Sequence, residues 1–166
     1  LRSQGYMGEV FTFVDASHLI AKANLWEERD EARKKKYEKL NNETLPKVAH
    51  DFQARIGCKG GNKFWYGYKQ HVSVDIQSGL INKVAITPAN VTDAQGFRHV
   101  VPASGAVYAD KGYCTQPAAA RKGVHLAAVK KTNMKGKNRD LDGYYSRIRA
   151  PWEHVFSQDN KRARYV

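Results

Sequence analysis

The sequence predicts an α/β domain with a mixed five-stranded sheet, flanking helices and a helical arm inserted after the first strand. Two observations indicate this fold class. Three strand-like segments come first, two of them joined as a hairpin, and helix-like and strand-like segments then alternate. This order is typical of a sheet that is antiparallel at one side and parallel at the other. At 166 residues the chain has the length of a single domain over 1–166.

The first strand is predicted in EVFTFVDASHLI. Val10, Phe11, Phe13 and Val14 form an almost continuous apolar run. A strand buried on both faces has this pattern, because neither face needs polar side chains. The run places Asp15 at the end of the strand.

The next segment, NLWEERDEARKKKYEKL, predicts a mostly solvated helical arm. Asn24 followed by Glu27 resembles a capping box, and the interior is rich in helix-forming residues. The lysine run 34–36 is interpreted as a solvated helix face in preference to a phosphate contact. DFQARIGCKGGNK then reads as a turn-forming connector, because its glycines fit neither the dinucleotide-binding nor the Walker spacing.

A hairpin is predicted over residues 63–87. KFWYGYKQHVSVDI alternates between an apolar face and a face with Trp65, Lys69, His71 and Asp75, as expected of a half-buried strand. QSG then turns the chain into LINKVAIT, the second strand of the hairpin.

Helices and strands alternate in the rest of the chain. Thr92 and Gln95 form a capping-box pattern that opens a short helix through Val101. GAVYAD predicts a strand, 115–122 a helix, and HLAAV a fifth strand. A basic loop, KKTNMKGKNR, leads into a final helix from about Leu141.

Two aspartates are predicted to meet at one edge of the sheet. The order of elements is that of a ribonuclease-H-like domain, in which the first and fourth strands can lie side by side and parallel. Asp15 and Asp110 end these two strands, at the crevice where open α/β sheets bind ligands. Adjacent carboxylates repel, and a divalent cation such as Mg²⁺ compensates the repulsion with oxygen ligands. Glu153 is the candidate third acid, with Pro151 predicted in the first turn of its helix.

The amino-acid composition limits the kinds of molecule that the protein is expected to bind. Lysine and arginine total 28 against 16 acidic residues, a net charge of +12, which predicts a polyanionic partner, most commonly nucleic acid. No apolar run approaches the roughly 20 residues of a membrane span. The two cysteines lack CxxC or zinc-site spacing, which argues against a structural zinc and favours a cytoplasmic protein.

A set of motifs carries a family resemblance. VDAS, DFQAR, GYKQHVSVD, SGLI, TPANVTDAQ, YADKGY and RIRAPWEHVF resemble, in this order, the catalytic domain of bacterial insertion-sequence transposases of the DDE class, most closely the insertion-sequence-five family. The resemblance implies that Asp15, Asp110 and Glu153 are catalytic acids that bind two Mg²⁺ ions, with Mn²⁺ as a substitute. It implies DNA cleavage by water and joining of the freed 3′-hydroxyl to target DNA. It also implies a nucleoid-associated protein that is a homodimer on DNA.

The resemblance and the positive charge together predict the DNA contacts, with transposon ends and target DNA as partners. Arg149 precedes Glu153 in the family's Arg-x-x-x-Glu arrangement. Only fourteen residues precede Asp15, which predicts that the region recognising transposon ends is absent. The predicted DNA-binding residues are Lys111, Lys130, Lys131, Lys135, Lys137, Arg147, Arg149 and Lys161.

Two other function classes stay open at this point. The chain fits a noncatalytic DNA-binding or dimerising fragment of a truncated transposase, and it fits another nuclease of the same fold, because fold alone does not decide function. Asp75 at a hairpin end and Asp93 in the first turn of a helix are predicted to be structural.

Overall fold

The computed structural model describes residues 8, 10–22, 24–113, 123–130 and 132–162, with 22 and 154–162 as backbone only. The predicted α/β class with a mixed sheet and flanking helices is confirmed, in an arrangement of the ribonuclease-H-like kind. The strands are β1 (Phe11–Lys22), β2 (Arg55–Lys59), β3 (Lys63–Asp75), β4 (Ile81–Pro88), β5 (Gly105–Ala109) and β6 (Val124–Ala128). The helices are α1 (Trp26–Lys34), α2 (Asp93–Val100) and α3 (Arg139–Arg162).

The sheet has the order β2-β3-β1-β5-β6, and β4 also pairs with β3. β1, β5 and β6 are parallel neighbours, whereas β3 is antiparallel to β1, β2 and β4. The predicted parallel pairing of the first strand with GAVYAD is therefore confirmed, and so is the 63–87 hairpin. The remaining edge of β3 is shared between β2 and β4, which pair with its two halves.

The sheet has one more strand than predicted, because the connector interpretation of DFQARIGCKGGNK was wrong. β2 lies within this segment and includes Gly57. A Cβ atom at Gly57 would lie 2.7 Å from Trp65 and 2.8 Å from Ala89, so this glycine permits close packing in a strand. Only Gly60 and Gly61, both with positive φ, form the turn that the composition indicated.

Two details of the central strands also differ from prediction. Asp15 lies inside β1 rather than at its end, because pairing with β3 continues to Lys22 after pairing with β5 has stopped at Val14. The second half of β3 is buried on both faces, with His71 and Asp75 fully enclosed, whereas a half-buried strand was predicted. Helices α2 and α3 cover opposite faces of the sheet there.

Each face has its own apolar core. On one face, α2 packs against β1 and β5 in a cluster that includes Val14, Phe97, Val100 and Val107. On the other face, α3 packs against a cluster of Phe13, Val72, Val74, Tyr108 and Ala127, to which it contributes Tyr145, Ile148 and Trp152.

The arm between β1 and β2 is more firmly attached than predicted. Leu45 is fully buried with Tyr66, and Leu25 and Leu40 pack against this third cluster. The predicted capping box at Asn24 was wrong, because the helix begins after Leu25 and has no side-chain cap.

For the other helices, one prediction is confirmed and one was wrong. The capping box of Thr92 and Gln95 is present at the start of α2. Pro151 lies inside α3 rather than in its first turn, because the helix already begins at Arg139. The helix predicted over 115–122 lies outside the described residues. In the described part of the chain, every helix is too short or too polar to cross a membrane.

Candidate active site

Two aspartates lie at the point where the pairing of β1 with β5 ends. The parallel pairing of these strands ends at Val14 and Ala109. Asp15 directly follows Val14, and Asp110 directly follows Ala109. Both carboxylates therefore lie at the same level of the sheet. Helix α3 covers this face and carries Arg149 and Glu153, so the strand ends and the helix together form one charged cluster.

Arg149 joins the acids of this cluster. Its Nη1 donates to Asp110 Oδ1 over 3.3 Å, and its Nη2 donates to Glu153 Oε1 over 2.7 Å. The Arg149 side chain is only 9% exposed, whereas the two carboxylate side chains are 52% and 54% exposed. A guanidinium fork can serve two carboxylates at once because its donors are fixed in a plane. Arg149 thus holds a strand-end acid and a helical acid in one arrangement.

Asp15 is the most enclosed acid of the cluster. Burial raises the pKa of Asp15 to about 6, and the negative charge of Asp110 acts in the same direction. The backbone N–H of Ala16, which donates to the carboxylate over 2.8 Å, and the positive charge of Arg149 lower the pKa of Asp15 but do not offset burial. The mutual influence of Asp15, Asp110 and Arg149 indicates that the three charges lie close together.

Tyr113 is a neighbour of the acids that the sequence interpretation missed. It ends a short 3-10 helix, Lys111–Tyr113, that directly follows Asp110. Its side chain is 1% exposed, and its hydroxyl has no hydrogen-bond partner among the described residues. Burial raises the pKa of Tyr113, and the charges of Asp93, Asp15 and Asp110 raise it further. The YADKGY motif contained this residue, but spacing alone gave no sign that its hydroxyl lies near three carboxylates.

The donor set suits a hard divalent cation. Asp15, Asp110 and Glu153 supply carboxylate oxygens, which Mg²⁺ and Mn²⁺ prefer. Arg149 supplies the positive charge beside these acids, and two of them keep about half of their side chains open to solvent. Among the described residues, no three histidine, cysteine, aspartate or glutamate side chains converge as a metal site.

The predicted DNA-binding residues fall into three groups. Lys111, Lys135, Lys137 and Arg147 are exposed. Lys130 donates from Nζ to the carbonyl of Gly136, and Arg149 is buried in the acid cluster. The side chains of Lys131 and Lys161 lie outside the described residues. The basic loop follows β6, whose last residue, Ala128, pairs with Ala109. The loop therefore starts at the same carboxyl ends of the parallel strands as Asp110.

The two acids predicted to be structural each have a hydrogen-bond partner outside the acid cluster. Asp75 Oδ2 accepts from the backbone N–H and the hydroxyl of Ser78, inside the β3–β4 turn. Asp93 accepts from Lys69 Nζ over 2.9 Å.

Comparison with known proteins adds one match. A family model described as a transposase DDE domain matches residues 8–162. No curated protein and no solved structure matches the chain significantly. The matched span includes every member of the acid cluster.

Proposed function

Because this chain belongs to the transposase DDE domain family, we propose that it is the catalytic domain of an insertion-sequence transposase. The proposed relationship is closest to the insertion-sequence-five family, and the proposed domain covers the whole chain. Transposases of this domain type act on DNA and generally use divalent metal ions. The proposed reaction is cleavage of a DNA strand followed by strand transfer.

One observation carries this proposal. Arg149 bonds at once to Asp110 at a strand end and to Glu153 on α3, beside the enclosed Asp15. Three acids from three separate parts of the sequence therefore share one charged neighbourhood. Asp110 and Glu153 keep about half of their side chains exposed beside Arg149, which leaves carboxylate oxygens accessible to a ligand.

In the proposed mechanism, Asp15, Asp110 and Glu153 would hold two divalent ions, with Mg²⁺ as the proposed ion and Mn²⁺ as a substitute. When bound, the ions supply positive charge that activates a nucleophilic oxygen and stabilises the leaving oxygen. The three acids would bind the scissile phosphodiester only through these ions, because carboxylates repel a phosphate directly. Arg149 aligns Asp110 with Glu153, and the burial of Asp15 keeps its carboxylate in one orientation.

Two exchanges at phosphorus make up the reaction. In the first, the oxygen of water bonds to phosphorus, the bond to the 3′-oxygen breaks, and that oxygen takes up a proton to leave a 3′-hydroxyl. In the second, this hydroxyl bonds to a phosphorus of target DNA, loses its proton and displaces a 3′-oxygen of the target. Each exchange breaks one P–O bond and forms one, so no oxidant or reductant is needed.

The basic loop before α3 and the exposed lysines near Asp110 are the proposed DNA surface. We further propose that two copies act together on DNA and that the protein associates with the bacterial nucleoid in the cytoplasm. The net charge of +12 supports attraction to a polyanion.

The test is plasmid nicking by purified protein with Mg²⁺ or Mn²⁺. Asp110→Asn should abolish nicking while DNA binding persists, because the amide keeps the shape but loses the charge that holds a metal ion. Asp30→Asn is the matched control and should nick like the wild type, because Asp30 is exposed on α1, where it pairs with Arg33. Equal nicking by wild type and Asp110→Asn would refute the assignment of the site.

A noncatalytic DNA-binding module is the second candidate. The observation that favours it is the Arg149 guanidinium, which already neutralises two of the acids. Retained DNA binding without any metal-dependent nicking would support this candidate.

A further inference from the structure

A small cavity lies beside the acid cluster, where β1 continues past the end of β5. It has a volume of about 80 Å³, and its walls come from β1, β2, β3 and the start of α2. Ala16 and Ser17, the two residues after Asp15, form part of its lining. We call it the lysine pocket; its chemically distinctive members are His18, Cys58, Lys59, Trp65, Lys69 and Asp93.

The pocket presents two ammonium groups. Lys69 donates to Asp93 over 2.9 Å and its side chain is only 14% exposed, so its position is fixed. An ammonium has three N–H donors, and the bond to Asp93 uses one of them. Lys59 is exposed and lines the pocket together with Ala16 and Ser17, the residues that follow Asp15, and its charge lowers the pKa of Asp15.

The aromatic side of the pocket is a tilted pair of rings. The rings of His18 and Trp65 lie with their centroids 5.3 Å apart, and the Trp65 indole N–H donates to the carbonyl of Tyr68. Both rings are therefore held by neighbours. The other side of the pocket carries two ammonium groups and one carboxylate, a net positive charge.

The edge of β1 beside the pocket is accessible. Pairing with β5 stops at Val14, whereas pairing of β1 with β3 continues to Lys22. Among the described strands, none pairs with β1 on the β5 side beyond Val14. A DNA strand that reaches Asp15 can therefore extend along β1 toward the lysine pocket.

We propose that the lysine pocket binds one backbone phosphate of the DNA strand that reacts at Asp15, Asp110 and Glu153. The volume suits a group of a few heavy atoms, and because the two ammonium groups outweigh the single Asp93 carboxylate, the pocket favours an anion over a metal ion. The assignment rests on the proposed function. Lys59 and Lys69 are then positioning residues, which neutralise the phosphate and set the register of the strand relative to the acids.

Cys58 offers a reporter inside the pocket, because its thiol is free and exposed. The experiment measures the rate of Cys58 alkylation in a Cys114→Ser background, with and without saturating duplex DNA, in EDTA. DNA binding is followed in parallel by fluorescence anisotropy. In the protein with both wild-type lysines, Cys58 should be alkylated more slowly when DNA is bound, because a phosphate in the pocket blocks the reagent.

Variants of the lysines separate pocket binding from general DNA binding. Lys59→Gln combined with Lys69→Gln should remove the protection of Cys58 at DNA concentrations that still saturate the protein. Lys59→Gln alone keeps the Lys69–Asp93 pair intact and should weaken the protection. Lys63→Gln is the matched control and should keep full protection, because Lys63 pairs with Lys59 on the same hairpin but does not line the pocket.

Each outcome decides a different point. Protection in the wild type and in Lys63→Gln, with loss in the double variant, supports the pocket. Saturated DNA binding without protection, or protection that is equal in all variants, overturns it and leaves the proposed function standing. Absence of any DNA binding in the anisotropy measurement overturns both proposals. Nicking is not needed for any of these results.

Discussion

The two helices that cover the sheet, α2 and α3, meet it in different ways. On the α2 side, Gly96 lies against the buried His71, and Phe97 and Val100 are fully enclosed. On the α3 side, Tyr145 and Ile148 are only partly buried, and two acids keep about half of their side chains in solvent. The α2 side therefore provides close packing, whereas the α3 side leaves charged groups accessible. Substrate chemistry requires such access, so the candidate site lies on the less completely packed side.

The largest effect should come from a methyl group added to α2. A Cβ at Gly96 would lie 2.1 Å from the His71 ring, so Gly96→Ala should lower the free energy of unfolding by about 3 kcal/mol. Gly143→Ala is the matched control in α3, where nothing lies within 4 Å of the added atom. This change should raise the free energy of unfolding by about 0.5 kcal/mol, because alanine favours helix.

Urea unfolding of both variants measures this contrast. Equal effects of the two substitutions would show that the two helices pack against the sheet with similar tightness, and the comparison would fail.

A smaller effect, with a defined pH dependence, should come from Asp15. The pKa of Asp15 in the folded protein, about 6, lies above its ordinary value of 3.8. The folded state then binds more protons than the unfolded state between these pH values, so the stability linked to Asp15 is full below pH 4 and is lost as the pH rises to 6. Asp15→Asn should therefore stabilise the protein by about 2 kcal/mol at pH 7.5 in EDTA, and by little at pH 4.

The measurement is urea unfolding of wild type and Asp15→Asn across this pH range. Asp30→Asn serves as the control, because Asp30 is exposed on α1. A stabilisation that does not change with pH would contradict the burial of a charged carboxylate at Asp15.

The smallest effect should come from Arg149. Arg149→Gln removes the charge that separates Asp110 from Glu153, but solvent screens these half-exposed acids. The loss of stability should be about 1 kcal/mol, less than for a fully buried pair. Arg147→Gln, on the exposed side of the same helix, should change thermal stability little. Equal unfolding temperatures for the two variants would show that Arg149 does not organise the cluster.

The sequence predicted those features that depend on local pattern and strand order. Alternating apolar residues identified the hairpin, Thr92 and Gln95 marked the start of α2, and the apolar runs before Asp15 and Asp110 indicated neighbouring strands. Close packing between distant segments could not be read in this way. Gly57 looked like a turn residue because composition does not show that Trp65 and Ala89 approach it.

The candidate site shows the same division. Asp15 and Asp110 were named from the predicted strand ends and Glu153 from the last helix, the motif resemblance implies the same three acids, and that assignment stays a prediction. The two hydrogen bonds that Arg149 donates, to Asp110 and to Glu153, and the burial of Tyr113 depend on how α3 and the 3-10 helix pack on the sheet. Likewise, the lysine pocket joins residues from four elements, and no spacing along the chain connects Lys59 with Lys69 and His18.

Pro151 gives α3 a mechanical weak point between two residues of the acid cluster. A proline inside a helix donates no backbone N–H, so the carbonyl of Arg147 lacks its helical partner, and the ring pushes against that turn. Arg149 precedes this break, on the part of the helix that Tyr145 and Ile148 anchor to the sheet. Glu153 follows it. Trp152, directly after the break, packs against the same apolar cluster, so the sheet holds α3 on both sides of the missing backbone hydrogen bond and keeps Glu153 within reach of Arg149.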